Sequence, residues 1–152
     1  MKLWKAIILC SFLWFAAGCN TDNQQEGSTN DSIDMTQISS QNAIDQTPSN
    51  QAKERLSKHP EVTGVKAVNT SKHMLIGMEI EHMKRFQLAK FRKERTKEMK
   101  KHFSDMHVEF STDQKILLEL ERIEKKLDKG KYSKKELNKE LDKLIKLSKE
   151  QT

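Results

Sequence analysis

The thiol of Cys19 stands directly behind an apolar N-terminal run, a position at which a cysteine can be chemically modified. Lys2 and Lys5 precede the run, residues 6–17 are apolar apart from Ser11, and small residues follow. This pattern is typical of a secretory signal. Twelve residues span about 18 Å as a helix, less than the roughly 30 Å hydrocarbon core of a bilayer. The run therefore predicts a signal peptide rather than a permanent transmembrane helix.

The residues around Cys19 resemble the lipobox of bacterial lipoproteins, with small side chains at Ala17 and Gly18. Ala16 departs from the pattern, because lipoboxes usually carry leucine there. The resemblance implies cleavage between Gly18 and Cys19 and transfer of a diacylglyceryl group to the Cys19 thiol, which anchors the chain through two acyl chains. The alternative is ordinary cleavage that leaves Cys19 as a free thiol. Cleavage also removes Cys10, so we expect no internal disulfide and no cysteine metal site.

The histidines show none of the spacings that metal sites usually require. Neither H-x3-H nor H-E-x-x-H occurs, and no glycine-rich phosphate loop or G-x-S-x-G motif is present. Acidic residues alternate with lysines at helical spacings, which is typical of solvated ion pairs. The sequence therefore predicts no metal, no cofactor and no enzyme, although hydrolysis by paired carboxylates stays open because such pairs leave no fixed motif. The histidines are His59, His73, His82, His102 and His107.

Residues 84–105 form the most basic segment, with nine Lys and Arg against three Asp and Glu. They include no Gly or Pro and many strong helix formers, so they predict a helix with a lysine-rich outer surface. Such a helix suits DNA phosphates, but few aromatic side chains remain for stacking and the signal leads away from cytoplasmic nucleic acid. We expect anionic lipid or wall polymer as the partner, with a solvated surface as the alternative. The residues expected to bind are Lys90, Lys93, Lys97, Lys100 and Lys101.

The inner face of this helix is apolar but interrupted by Arg92 and Arg95. Their alkyl stems are able to cover apolar surface while the guanidinium groups reach water or a carboxylate. Glu79 and Glu81, which precede the helix, are the expected partners. The apolar residues of the face are Leu88, Phe91, Met99 and Phe103.

The net charge of +6 hides an acidic segment ahead of a basic one. Residues 20–50 contain five acidic residues and no Lys or Arg, whereas residues 51–152 carry a net charge of +9. Residues 19–49 are rich in Asn, Gln, Ser, Thr and Asp, and their few apolar residues show no period. Such a segment buries too little apolar surface to offset the entropy cost of ordering. We expect a disordered acidic tether, with a hidden binding motif around Ile33–Ile44 as the alternative.

The remaining pattern predicts an α+β fold in the order α-β-β-α-β-α-α. Ser49 or Asn50 is expected to cap a first helix, which ends before Pro60. Apolar residues on both sides of a turn at 69–72 predict an antiparallel hairpin. Its second strand should carry one apolar face, and a third strand should follow the basic helix at 106–110. The residues of that face are Met74, Ile76, Met78 and Ile80.

Two C-terminal helices carry Leu and Ile at spacings of three and four. Ser111-Thr112-Asp113 is expected to cap the first, Lys129-Gly130 to end it, and Ser133 with Glu136 to form a capping box for the second. We expect the pair to pack on itself or on the sheet, with partner binding or dimerisation as the alternative. The predicted fold is a small αββαβ sandwich, a three-stranded sheet with helices on it, followed by a C-terminal helical hairpin.

Three stretches of the chain follow one another in a recognisable order: NQAKERLSKHPEVTGVKAVN, KRFQLAKFRKERTKEMKKHF and VEFSTDQKILLELERIE. Together with the lipobox and the polar spacer, they resemble the sporulation lipoprotein family of the YhcN/YlaJ type, which has a small BON-like α+β module. The resemblance covers residues 50–124. It implies a membrane-anchored protein of endospore-forming bacteria that acts in spore formation or germination, and it supplies no catalytic residues.

The expected organisation is a signal peptide at 1–18, the tether at 19–49, an α+β domain at 50–128 and a basic C-terminal helix at 129–152. We expect a non-enzymatic binding or scaffolding role on the outer side of a cell or spore membrane. The expected partners are the membrane, through the lipid anchor, and anionic lipid, wall polymer or another spore membrane protein. The alternative is an accessory factor or enzyme that acts on spore peptidoglycan during germination.

Overall fold

The computed structural model describes residues 33, 35–38, 44–81 and 87–150. In this part of the chain, four helices and three strands follow the predicted order, so the predicted α+β fold is confirmed. The elements are α1 (Thr47–Leu56), β1 (Val62–Asn69), β2 (His73–Ile80), α2 (Leu88–His102), β3 (His107–Ser111), α3 (Gln114–Asp128) and α4 (Lys134–Glu150). The predicted signal peptide, its cleavage site at Gly18 and Cys19, and His82 lie outside the described residues.

The sheet has the order β1-β2-β3 and contains both pairing directions. β1 and β2 pair antiparallel across a tight turn, in which the Thr70 hydroxyl accepts hydrogen bonds from the backbone N–H groups of Lys72 and His73. The predicted hairpin is therefore confirmed. β3 pairs parallel to β2, with Val108 opposite Met74. A parallel neighbour needs a crossover connection, and α2 forms part of it.

The central strand β2 is buried on both of its faces. Met74 and its alternate neighbours lie in one core with residues of α1 and α2, which confirms the predicted apolar face. Leu75 lies in a second core with residues of α3 and α4. A Cβ atom at Gly77 would lie 3.0 Å from both Leu117 Cγ and Leu120 Cδ1. Glycine at this position therefore allows α3 to approach the strand closely.

The predicted helix ends around α3 and α4 are confirmed. The Asp113 side chain accepts hydrogen bonds from two backbone N–H groups in the first turn of α3. Gly130, which follows α3, has a φ of 64°, in the left-handed region that favours glycine. The backbone N–H of Ser133 donates to Glu136 Oε2 at 3.0 Å, and the backbone N–H of Glu136 donates to Ser133 Oγ at 3.3 Å. This reciprocal pair is the predicted capping box.

The predicted start of α1 is wrong by three to four residues, because Gln46 rather than Ser49 or Asn50 occupies the N-cap position. The helix begins at Thr47, and Pro48 occupies its first turn, where a missing N–H group costs no hydrogen bond. Ser49 lies inside the helix and donates from its hydroxyl to Asn69 Oδ1 at 2.7 Å. The side chain expected to cap α1 therefore connects it to β1 instead.

The last part of the predicted tether packs on the fold, so the prediction of disorder over 19–49 is wrong for residues 35–38 and 44–49. Ile38 and Ile44 are buried in the core that contains α3 and α4. Asn50 holds the chain at Ile38 by accepting from its backbone N–H at 3.1 Å and donating to its carbonyl at 2.8 Å. Ile38 and Ile44 themselves lie in neither a helix nor a strand, so no helical or strand period marks them in the sequence.

α4 packs within the fold and completes the second core. Its apolar stripe contacts residues of α3 and the sheet, as the predicted intramolecular packing requires. No helix in the described residues is long and apolar enough to cross a membrane. The buried residues of the stripe are Leu137, Leu141, Leu144 and Ile145.

Candidate functional site

The five lysines predicted to bind an anionic surface share one face of α2. All five are exposed. At 3.6 residues per turn they occupy an arc of roughly 100°, opposite the buried Met99. Within the described part of the chain, none of them has a carboxylate within 4.0 Å. The set, hereafter the lysine face, consists of Lys90, Lys93, Lys97, Lys100 and Lys101.

The opposite face of α2 holds the helix on the sheet, although its arginine contacts differ from the predicted ones. Arg95 Nη1 donates to Glu98 Oε2 at 2.6 Å and contacts His59, and its guanidinium lies 5.4 Å from the centroid of the Phe91 ring. Glu79 instead accepts from Gln114, so the predicted pairing of Glu79 or Glu81 with Arg95 is wrong. Glu98 lies one helical turn from Arg95 and needs no tertiary approach to reach it.

Three of the four described histidines, His59, His73 and His107, lie within 4.0 Å of a carboxylate. His73 Nδ1 lies 2.9 Å from Asp142 Oδ1, which joins β2 to α4. His107 Nε2 lies 2.8 Å from Glu109 Oε1, and its ring meets the His73 ring at 5.8 Å between centroids. Among the described residues, no group of three His, Cys, Asp or Glu side chains is arranged to hold a metal ion.

A buried ion pair, which the sequence reasoning missed, joins α1 to α3. Lys53 Nζ lies 3.0 Å from Glu124 Oε1, and the two side chains are 0% and 1% exposed. Burial lowers the pKa of Lys53 and raises that of Glu124, and the attraction between the two groups offsets only part of each effect. Lys53 also donates to the carbonyl of Thr36, whereas Glu124 Oε2 has no hydrogen-bond partner among the described residues.

The free edge of β1 explains why these polar side chains are buried. The backbone N–H of Thr70 donates to the carbonyl of His73 at 2.8 Å. Because hydrogen-bonded and non-hydrogen-bonded residues alternate along an antiparallel strand, the backbone groups of Ala67 and Asn69 point away from β2. Ala67 N–H donates to Glu124 Oε1 at 3.0 Å. Gln46 serves both backbone groups of Asn69, accepting from N–H at 3.1 Å and donating to the carbonyl at 2.7 Å. Side chains thus take the place of a further strand.

The sequence did contain a signal for the buried pair of Lys53 and Glu124. Glu124 follows Ile123 and lies one turn from both Leu120 and Leu127, so it borders the apolar stripe of α3. Lys53 likewise follows Ala52 within α1. Charged residues beside a stripe usually reach solvent, and only the position of the β1 edge directs these two inward.

Besides a cavity of about 630 Å³ that is lined by residues of α2 alone, two cavities border α2. One, of about 710 Å³, lies at the end of β2, and its lining includes Glu79, Glu81, Leu88 and Gln114. The other, of about 260 Å³, is lined by residues of α2, β3 and α4. The first contains two carboxylates two residues apart, and the second contains two cationic side chains, Arg92 and Lys149.

Comparison of the chain with protein-family models, with curated proteins and with solved structures finds no match in any of the three.

Proposed function

We propose that this chain is a membrane-anchored sporulation lipoprotein with a non-enzymatic binding or scaffolding role in spore formation or germination. The N-terminal pattern and the three stretches named above support the class of protein. The lysine face supports the mode of action, because it is exposed, of one sign and without carboxylate partners in the described residues. An anionic polymer or lipid surface supplies the missing counter-charge.

The small contribution of each lysine to binding favours an extended anion over a single small one. Each lysine near an anionic surface contributes about 1 kcal/mol, so five acting together produce substantial binding while each remains individually weak. Such binding is screened by salt, since the Debye length is about 10 Å at 0.1 M. Residues 20–50, with five acidic residues and no basic ones, do not compete for the same anions.

Charge reversal on the lysine face tests the mode of action. The processed protein is reconstituted in neutral phosphatidylcholine vesicles, and binding of soluble fluorescent poly(glycerol phosphate) is measured at low and high salt. Replacing Lys93, Lys97 and Lys101 with Glu is expected to weaken binding at least about 100-fold at low salt, because three contributions of about 1 kcal/mol are lost and the new carboxylates repel the polymer.

Three exposed lysines of α4, namely Lys135, Lys139 and Lys143, provide a matched control. Reversing them changes the net charge by the same amount but leaves the lysine face intact. The control should retain most of the binding. Equal losses in both variants would mean that the total charge, rather than the lysine face, governs the interaction.

Membrane attachment has its own test at Cys19. The Cys19→Ala variant is expected to leave the membrane fraction, because the thiol that receives the diacylglyceryl group is gone. Recovery of fully processed Cys19→Ala protein in the membrane fraction would contradict lipid anchoring.

The alternative, action on spore peptidoglycan, is supported by one observation, the pair Glu79 and Glu81 at the 710 Å³ cavity. Paired carboxylates flanking a cleft are the usual machinery of glycoside hydrolysis. Incubating the full chain with peptidoglycan and measuring released fragments decides this. Release that disappears in Glu79→Gln would favour the alternative, and absence of release favours the binding role.

A further inference from the structure

The smaller cavity lies where three elements meet at the border of the lysine face. α2 and the C-terminal turn of α4 form its walls, and β3 contributes the buried ring of Phe110. Its volume, about 260 Å³, is below the usual range for drug-sized ligands and suits a group of a few atoms. The lining residues are Arg92, Thr96, Glu109, Phe110, Ser148 and Lys149.

The single carboxylate of this cavity is already matched. Glu109 Oε1 lies 3.1 Å from Lys149 Nζ and 2.8 Å from His107 Nε2. Burial opposes ionisation of Glu109, but the hydrogen bonds and charges of Lys149 and His107 outweigh it and lower its pKa. Glu109 is therefore ionised at neutral pH, and Lys149 balances its charge.

Arg92 is the cation that remains without a counter-charge. Its side chain is half-buried, and no carboxylate among the described residues lies within 4.0 Å of its guanidinium. Arg95 and Arg122 provide the contrast, since each donates to a glutamate at 2.6 Å. Removing a guanidinium from water without supplying an anion is unfavourable, so binding of an anion to Arg92 offsets that cost.

The hydrogen-bond donors of the cavity define the ligand further. The Thr96 hydroxyl donates to the carbonyl of Arg92 at 2.7 Å, so its proton is not available to a ligand. The Arg92 guanidinium offers five N–H donors in a planar fork, and the Lys149 ammonium has donors beyond the one that Glu109 accepts. A complementary ligand is an anion with several acceptor oxygens, and guanidinium binds phosphate oxygens in pairs.

We infer that this cavity binds a single phosphate group, held mainly by Arg92 and supported by Lys149. The inference rests on the proposed function and names the chemistry within it: the lysine face attracts the polyanion, and Arg92 binds one of its phosphates. A phosphodiester of wall polymer and the phosphate of a lipid headgroup share this chemistry.

Inorganic phosphate is the probe that tests the site alone. The full chain, in a neutral maltoside detergent, is titrated with phosphate while the Arg92 side-chain N–H and the backbone amides of Thr96 and Phe110 are followed by NMR. Saturable shifts at these groups are expected. Arg92→Gln should weaken binding at least tenfold, because charge-assisted hydrogen bonds are lost, and Arg92→Lys should weaken it less.

Arg122→Gln is the matched control, since it also removes one arginine from a helix surface and should leave phosphate binding unchanged. Arg92→Lys keeps the charge and the alkyl stem, so it reports on the site even if Arg92→Gln does not fold. Unchanged affinity in both Arg92 variants would overturn the inference, as would shifts confined to the lysine face.

Polymer binding by the lysine face and phosphate binding by the cavity are tested independently of each other. If Lys93, Lys97 and Lys101 are reversed, phosphate should still produce saturable shifts at the cavity even where the polymer no longer binds. Loss of those shifts would overturn the separate cavity site. With poly(glycerol phosphate) and phosphatidylglycerol vesicles as two arms, the arm whose binding Arg92→Lys weakens identifies the source. Equal weakening of binding to polyglutamate, which carries carboxylates only, would overturn the assignment to phosphate.

Discussion

Two regions of the molecule use lysine in opposite ways. At the free edge of β1, Lys53 is 0% exposed and its charge is opposed by Glu124 at 3.0 Å. On the outside of α2, the five residues of the lysine face are exposed and have no described carboxylate partner. At the β1 edge, the buried side chains stabilise the fold, because they pair with backbone groups that β2 does not reach. We assign the lysine face to binding, because its charges have no described partner within the chain.

The two regions also show that the net charge of a chain does not reveal which charges are exposed for binding. Lys53 and Glu124 together contribute no net charge, whereas the lysine face adds five charges of one sign. A substitution of the same type should therefore change stability at the first place and binding at the second.

The largest expected effect comes from breaking the buried pair. Glu124→Gln should lower the free energy of unfolding by about 3–5 kcal/mol, because it leaves the Lys53 ammonium buried without an opposite charge. Urea unfolding followed by circular dichroism measures this.

The double variant Lys53→Met with Glu124→Gln controls for the pair itself. It removes both charges, while the amide oxygen at position 124 still accepts from the Ala67 N–H group, so much of the lost stability should return. A single variant within 1 kcal/mol of the wild type would show that the edge does not depend on the pair, and the contrast with α2 would fail.

A second expected effect concerns the other group that covers the β1 edge. Gln46→Ala removes both hydrogen bonds to the backbone of Asn69, with an expected cost of about 1–3 kcal/mol. Hydrogen exchange at the Asn69 amide should accelerate. Gln51→Ala, at an exposed position of α1, is the control and should change neither quantity. Equal effects of the two substitutions would remove the role assigned to Gln46.

The pH dependence of stability should report on Glu109. The pKa of Glu109 is lowered in the folded state, so its contribution is present above the ordinary value near 4.5 and is lost as the pH falls through the folded pKa.

Urea unfolding across the acid range checks this sign. Glu109→Gln should reduce the loss of stability on acidification. An unchanged loss of stability in this variant would contradict the lowered pKa of Glu109.

The smallest expected effect on stability is at the lysine face. Reversing Lys93, Lys97 and Lys101 to Glu should change the free energy of unfolding by less than about 0.5 kcal/mol, as for most surface substitutions. Thermal unfolding of the variant used in the binding assay provides the measurement. A loss comparable to that of Glu124→Gln would mean that the lysines stabilise the fold, and the comparison would lose its second half.

Local patterns predicted most of the fold because its helices and hairpin follow local rules. The stripe of α3, the capping box at Ser133 and the turn before His73 each depend on residues a few positions apart. The exposure of the lysine face also follows from its arc on one helix. These features need no knowledge of what lies across the molecule.

The remaining features depend on contacts between distant segments. The parallel pairing of β3 with β2, the burial of Ile38 and the pair of Lys53 with Glu124 each join residues separated by long stretches of chain. No periodicity records such contacts, since the partner is set by the final packing. The cavity at Arg92 belongs to the same class, because three elements are needed to form it.

The mixed sheet has a consequence for the order of folding. β1 and β2 meet across a turn of a few residues, whereas residues 81–106 separate β2 from β3 along the chain. Closing the short loop costs less entropy, so the hairpin is expected to form early and the addition of β3 to set the rate. Destabilising substitutions at the contact of Val108 with Met74 should then slow refolding more than they accelerate unfolding.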